Sequence, residues 1–328
     1  MPLSPRLPSP VRACPELGGA SELWVKDDGA LHPLYGGNKV RKLPRILARA
    51  VSVGARRILT FGPAGSHHVL TTALFAREYG LEVAAVLSPQ PGTPHAEQML
   101  RAIAAQGIEL HAAPSVAAIP LAFARALRPG DYVVGPGGSN VLGALGYAEA
   151  AAELRAQITA GSLPAPDAIV VALGSGGTAG GLLAGLVENG LGAELIGVQT
   201  VGGYLARPHA LYLARRVLAR GGRGLSADAR RFVVERSELG RGYGAPTRAS
   251  ERAARRAADI GLCLDPTYTA KAFAHALELL EARAGRRRVI LYWHTLSAAP
   301  LEPLLVGAPA LEALPRGLRA LLSPVPPL

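Results

Sequence analysis

Short apolar runs alternate with helically spaced segments along the whole of this chain, and that alternation most restricts its fold. Residues 23–25, 57–61, 82–87, 108–111, 132–134, 168–173, 195–201 and 288–293 read as strands. Helical spacing follows Asn38 through Val40, Leu43, Leu47 and Ala50, and recurs at 69–79, 95–106, 119–127 and 147–160. Asn38 reads as the N-cap of the first helix, and Pro44 is tolerable only in that helix's first turn. Strands alternating with helices over 328 residues predict an α/β protein with mostly parallel sheets, either one large domain or two smaller ones. No internal repeat interrupts the pattern. The proline-rich end, residues 323–328, reads as a loosely held tail.

Composition removes several function classes. With 49% hydrophobic and 18% charged residues, the chain is globular and not disordered. No window reaches the ~20 uninterrupted apolar residues of a membrane span. The start, Met1-Pro2-Leu3-Ser4-Pro5-Arg6, lacks the apolar core of a signal peptide. Cys14 and Cys263 are too few for a disulfide framework, so the expected address is the cytoplasm. The net charge of +11 suggests a polyanion partner, but 31 of the 35 basic residues are Arg, as in a compositional bias. The densest basic stretch, 207–256, has almost no aromatic side chain to stack on bases, which argues for solvated helix faces and against nucleic acid. The four lysines, Lys26, Lys39, Lys42 and Lys271, then stand out, because an amine can lose its proton or form a Schiff base and a guanidinium cannot.

Two loops are candidates for the chemistry, each with a structural alternative: a tight turn with close helix–strand packing for the first and a surface basic turn for the second. Gly174-Ser175-Gly176-Gly177-Thr178-Ala179-Gly180-Gly181 follows an apolar strand and opens a helix, so its backbone N–H groups and the Ser175 and Thr178 hydroxyls suit a phosphate. Gly174, Gly176 and Ala179 formally satisfy a dinucleotide fingerprint, but Glu194 precedes the next strand and Gln199-Thr200 stand at its end, where an acidic residue is needed. A Walker A loop is excluded because no lysine directly follows a glycine. The second loop is Gly36-Gly37-Asn38-Lys39-Val40-Arg41-Lys42-Leu43. It puts Lys39 at a loop-to-helix junction and Lys42 one turn further along the same side.

These two motifs occur in register with Gly137-Gly138-Ser139-Asn140, Leu145-Gly146-Tyr147 and Gly242-Tyr243-Gly244. Asp265-Pro266-Thr267-Tyr268-Thr269-Ala270-Lys271 and Trp293-His294-Thr295 follow. The set resembles the pyridoxal-phosphate (PLP) family that contains D-cysteine desulfhydrase and 1-aminocyclopropane-1-carboxylate (ACC) deaminase, from about residue 10 to 305. The resemblance implies the tryptophan-synthase-β-like fold type II, with two open, twisted, mostly parallel sheets flanked by helices. It implies a large PLP-binding domain of residues 1–45 and 150–328, a small α/β domain of residues 46–149, and the cofactor between them. It also implies a homodimer.

By the same resemblance, Lys39 bonds to the cofactor aldehyde and serves as the base, and Asn38 and His67 lie near the cofactor. Lys42 helps neutralise a phosphate held by Ser175, Gly176, Gly177 and Thr178. Tyr268 faces the pyridine ring, Tyr243 lies on the substrate side, and Ser66, His67 and His68 meet the substrate. No metal is implied. The chain departs from the family's pattern at His67, usually Asn; at Leu70, usually Arg; and at Leu296-Ser297, usually two glycines whose replacement would crowd the cofactor edge. Thr269 stands where ACC deaminases have Glu, and a hydroxyl from Thr269 or Thr295 at the pyridine nitrogen makes a milder electron sink. That favours β-elimination from a small amino acid, D-cysteine or a relative, to pyruvate, ammonia and sulfide. The alternatives are ACC deamination, or a changed substrate for a D-amino-acid lyase or racemase. A non-catalytic PLP binder fits poorly with Lys39, Ser66, Tyr243 and Tyr268 all present.

Overall fold

The computed structural model describes residues 4–225, 227–282 and 287–323, so most of the proline-rich tail lies outside the described residues. The strands are β1 (Val11–Ala13), β2 (Glu22–Asp27), β3 (Arg57–Pro63), β4 (Glu82–Ser88), β5 (Gln90–Pro91) and β6 (Glu109–Ala112). They continue with β7 (Asp131–Val134), β8 (Ala168–Leu173), β9 (Glu194–Gln199), β10 (Phe232–Glu235), β11 (Val289–His294) and β12 (Leu322–Ser323). The longer helices are α1 (Asn38–Ser52), α2 (His67–Ala76), α3 (Pro94–Ala104), α4 (Ile119–Ala126) and α5 (Val141–Thr159). After them come α6 (Gly177–Glu188), α7 (Ala206–Arg220), α8 (Arg248–Asp259) and α9 (Thr269–Glu281).

The chain divides into two compact units, one of residues 5–42 and 139–299, the other of residues 1–4, 43–138 and 300–328. The larger unit holds a six-stranded sheet in the order β1-β2-β11-β8-β9-β10. All its pairings are parallel except β1 with β2. Leu291, Trp293, Val171 and Leu195 on one face pack with Leu154, Leu182, Leu183 and Val217 of the helices α5, α6 and α7. On the opposite face, Val25, Val170, Val198 and Tyr292 pack with Ala253, Phe273 and Leu277 of α8 and α9. A parallel sheet covered on both faces needs strands apolar on both sides, which is why 168–173 reads as an uninterrupted apolar run.

The smaller unit holds a parallel sheet in the order β6-β4-β3-β7. Leu59, Ala84 and Val86 form its core with Ala113 and Ala126, and Phe123 of α4 meets Phe61 edge-on at 5.7 Å. The last described segment belongs to this unit and not, as the resemblance implied, to the larger one. β12 pairs with β5, the Leu321 carbonyl accepts from Gln90 N (2.9 Å), and the Pro309 carbonyl accepts from Arg101 Nε (2.9 Å).

Two local expectations need correction. Asn38 does not cap α1 but is its first residue, and Pro44 lies in the second turn of a helix that continues to Ser52. There the proline leaves the Val40 carbonyl without its usual amide donor. Among the described residues, no helix is long and apolar enough to cross a membrane. Cys14 is buried and Cys263 exposed, both as free thiols.

Candidate active site

The two glycines before Asn38 are there because the backbone has no room for side chains. A Cβ on Gly36 would lie 2.0 Å from the Gly29 carbonyl oxygen, and one on Gly37 would lie 2.6 Å from that of Thr295. Gly37 also takes a left-handed φ of 84°. Asn38 N donates to the Thr295 carbonyl (3.1 Å), and Gly36 N donates to Ser297 Oγ (2.9 Å). Ser297 Oγ also accepts from Ala299 N at 3.1 Å. The serine in place of a family glycine therefore pins the lysine loop, a structural role that the sequence did not suggest.

Lys39 is half-buried, and its Nζ donates to Asn38 Oδ1 at 2.7 Å. Burial pushes its amine down to about 8, against the opposing pull of Asp265. Lys42, one turn on, is buried with its Nζ 5.8 Å from the Tyr147 ring centroid. Burial, and then the charge of Lys39, push it well below the ordinary lysine range.

The glycine-rich turn runs from β8 into α6. A Cβ on Gly177 would collide with Ser139, whose Oγ lies 2.5 Å from that position. Ser139 Oγ accepts from Gly177 N (3.1 Å) and lies 2.7 Å from Ser175 Oγ. Thr178 Oγ1 accepts from Asn38 Nδ2 at 3.3 Å, which ties the lysine loop directly to the start of α6. Gly176 stands at the N-cap with no side chain of its own, and with the Gly177 amide taken by Ser139, the amides of Thr178 and Ala179 are the ones left to an anion at the start of α6. His209 of α7 donates from Nδ1 to the Ser175 carbonyl at 2.7 Å. No local pattern singled out His209, which sits in the stretch read as a solvated basic face.

Two aromatic rings stand beside this turn in the same unit. Tyr268 lies against Gly174, where a Cβ would come within 3.0 Å of its Cε1. Tyr243 meets Tyr268 edge-on, with centroids 5.6 Å apart and planes at 77°. Burial pushes the Tyr243 phenol up to about 12, so it keeps its proton at neutral pH. Thr269 does not offer its hydroxyl to this space. It is buried, donates to Asp265 Oδ2 (2.6 Å) and accepts from Asp265 N (2.7 Å). Of the two candidate hydroxyls, Thr295 is the one not spent in this way.

Ser66, His67 and His68 belong to the smaller unit. Ser66 Oγ caps α2, accepting from Val69 N at 3.3 Å. His67 Nε2 lies 3.0 Å from His95 Nε2 with the rings stacked, an arrangement that requires one ring to donate and the other to accept. His68, expected at the substrate, is instead a buried residue whose Nε2 lies 2.9 Å from Thr60 Oγ1. Because the Thr60 hydroxyl donates to the Val134 carbonyl (2.8 Å), His68 Nε2 must be the donor of that pair. Leu70 is wholly buried, where the family's arginine would need a charged partner.

Pyridoxal phosphate makes three demands on a site: an anion cradle, a nucleophilic amine and a face for its ring. The uncapped start of α6, the depressed amine of Lys39 and the Tyr268 ring against Gly174 meet them within one unit, tied by the bond from Asn38 to Thr178. Among the described residues, no group of three or more His, Cys, Asp or Glu side chains is arranged to hold a metal.

Comparisons with known proteins point to the same cofactor. Residues 4–295 match the family model described as pyridoxal-phosphate dependent enzyme. The chain is 34% identical over 310 residues to a D-cysteine desulfhydrase of Klebsiella pneumoniae subsp. pneumoniae, covering 90% of this chain and 93% of that protein. It is 33% identical, with the same coverage, to a D-cysteine desulfhydrase of Salmonella newport. The crystal structure of an ACC deaminase homologue superposes with a TM-score of 0.77 at 28% identity, covering 92% of this chain and 94% of that one. A fungal L-serine ammonia-lyase from Rhizomucor miehei, at 18% identity and a TM-score of 0.64 over 90% and 96% of the two chains, shares the fold. The match to the family model and the identity to these relatives make the chain a member of the pyridoxal-phosphate dependent enzyme family.

Proposed function

We propose that this enzyme uses PLP to eliminate the β-substituent of a small amino acid, D-cysteine or a near relative, with water, to give pyruvate, ammonia and sulfide. The observation that carries the reading is a lysine amine held near 8 on the loop that Asn38 ties to the anion cradle. Relatives that are D-cysteine desulfhydrases support the choice of substrate. The unit of residues 5–42 and 139–299 is the proposed cofactor-binding domain.

When bound, the cofactor withdraws electrons from the substrate's α-carbon. The chain's own groups do the rest. Ser175, Thr178 and the loop of Gly176 and Gly177 would hold the phosphate, whose charge would draw the Lys42 amine, pushed toward neutral by burial, back to its protonated form. Tyr268 would offer its face to the ring, and the Thr295 hydroxyl would be the group for the pyridine nitrogen, a bond that leaves that nitrogen without a full proton. Lys39, freed as an amine when substrate enters, takes the α-proton. Tyr243, whose proton is kept at neutral pH, donates to the departing sulfur. Ser66 accommodates the substrate carboxylate, with His67 beside it. A cytoplasmic homodimer is part of the proposal, on the family resemblance.

The test is the visible absorption of the purified protein with PLP, before and after D-cysteine, with ACC as a second substrate and Lys39→Ala as the control. A cofactor band that D-cysteine perturbs with release of pyruvate, both lost in the variant, is the expected result. A band that D-cysteine leaves untouched would reject the substrate and keep the cofactor. No band at all would reject the enzyme reading.

A further inference from the structure

His209 sits in the first turn of α7, and its Nδ1 lies 2.7 Å from the Ser175 carbonyl oxygen. A carbonyl oxygen can only accept, so Nδ1 carries the proton and the ring is committed to the Ser175–Gly176 peptide. The helix packs directly on that peptide. A Cβ on Gly176 would lie 3.0 Å from the Ala206 carbonyl oxygen and 3.1 Å from Ala210 N.

The Ser175–Gly176 peptide is trans, so its N–H points opposite to its C=O. The bond that draws the Ser175 carbonyl toward α7 therefore turns the Gly176 N–H away from α7. Gly176 is buried, and this N–H, one residue before α6, has no partner among the described residues. A buried backbone donor left unpaired is rare and costly, and it points to a ligand that takes it.

The peptide plane at this point is not fixed by the chain itself. Gly176 has a φ of 92°, and glycine takes either sign of φ at little cost, so the peptide is free to flip. Packing of α7 against a residue without a Cβ does not choose between the two orientations. The contact of Ser175 Oγ with Ser139 Oγ, at 2.7 Å, holds the hydroxyl and leaves the peptide plane to His209. A flipped peptide would present a carbonyl oxygen where the N–H now stands, and a carbonyl oxygen repels an anion.

We propose that His209 is a positioning residue of the cofactor site. Its Nδ1–H latches the Ser175 carbonyl, so that the Gly176 N–H and not a carbonyl oxygen is offered to the phosphate. The proposal rests on the reading of this turn as the phosphate site, and it adds the group that sets the polarity of the turn.

The probes are PLP and pyridoxal, which share the ring and the aldehyde and differ in the phosphate ester. Dissociation constants come from absorption titrations of the full chain freed of cofactor, with far-UV circular dichroism to establish folding. His209→Leu keeps bulk and removes the donor. It is expected to weaken PLP roughly tenfold or more, the worth of a hydrogen bond to a charged group, and to leave pyridoxal within about twofold. Asn carries an N–H one bond beyond Cγ, as Nδ1 does, so His209→Asn is expected to stay within about threefold of wild type for PLP. A folded His209→Leu with wild-type affinity for PLP would overturn the proposal. So would equal weakening of PLP and pyridoxal, which is general damage to the site, or a folded His209→Asn as weak as His209→Leu. A wild type that holds PLP no more tightly than pyridoxal would reject the phosphate reading of the turn, and the proposal with it. A wild-type preference for PLP that His209→Leu retains rejects the proposal alone.

Discussion

Lys26, Lys39, Lys42 and Lys271 are the only lysines in the sequence, and none of them is exposed. Lys26 Nζ donates to Glu153 Oε1 (2.5 Å), Gln157 Oε1 (2.6 Å) and the Ser9 carbonyl (3.3 Å), a compact fan of acceptors suited to three ammonium protons. Lys271 serves two carbonyls in the same way. Scarcity of lysine therefore marked burial as much as chemistry, and composition alone does not separate Lys39 from Lys26. The His67–His95 pair was half legible: His67 was visible as a departure, but His95 lies 28 residues away and only folding brings it near. His95→Ala removes the group that orients His67. It is expected to raise KM for the amino acid roughly three- to tenfold, the worth of one hydrogen bond. Steady-state kinetics check this, and an unchanged KM would make the pair a packing contact only.

The first turn of α1 is held by a buried ionic cluster. Arg41 donates from Nε to Asp28 Oδ1 (2.9 Å) and from its terminal nitrogens to Glu153 Oε2 (3.1 Å) and Ser9 Oγ (2.9 Å). Asp28 Oδ2 also accepts from Tyr147 OH (2.6 Å) and Trp293 Nε1 (2.8 Å), so the turn after β2, α5 and β11 all hold the turn that bears Lys39. Burial pushes both carboxyls up, but the charge and hydrogen bonds of Arg41 outweigh it and keep Asp28 and Glu153 below the ordinary carboxylate range. A depressed folded value gives stability that is present above the unfolded values, about 4 to 4.5, and is lost as pH falls through the folded ones. Arg41→Met leaves the buried Asp28 carboxylate without its cation, while Glu153 keeps Lys26, and is expected to cost about 3–5 kcal/mol near pH 7. Urea unfolding from pH 7 down to pH 3 checks this. The gap between variant and wild type should narrow with acid, because protonation relieves the unpaired charge. The motif Arg41-Lys42-Leu43 was legible as a string, but its partners at 28, 153 and 293 were not. Edge elements were the other omission: Arg12 interrupts β1, and Phe232-Val233-Val234 of β10 lies inside the basic stretch read as solvated helix faces.

At the scale of the whole molecule, the alternation of strands and helices gave the architecture, and the return of the chain end was the part it left hidden. β12 is two residues long and its partner β5 also two, so neither carries a readable pattern. What anchors the returning segment is apolar burial: Leu314, Leu318 and Leu321 are each no more than 6% exposed. Burying a leucine contributes ~1.5–3 kcal/mol, so the three together contribute roughly 5–9 kcal/mol of transfer free energy. Deleting residues 300–328 is therefore expected to destabilise the unit of β3 and β4 by at least about 5 kcal/mol and to spare the unit of β8 and β9. Amide hydrogen exchange separates the two. Faster exchange in β3 and β4 with β8 and β9 still protected is the expected pattern, because the severed contacts, Arg101 to Pro309 and Gln90 to Leu321, lie within the first unit. An equal loss of protection in both sheets would mean that the segment supports the larger unit as well, as the family resemblance first suggested.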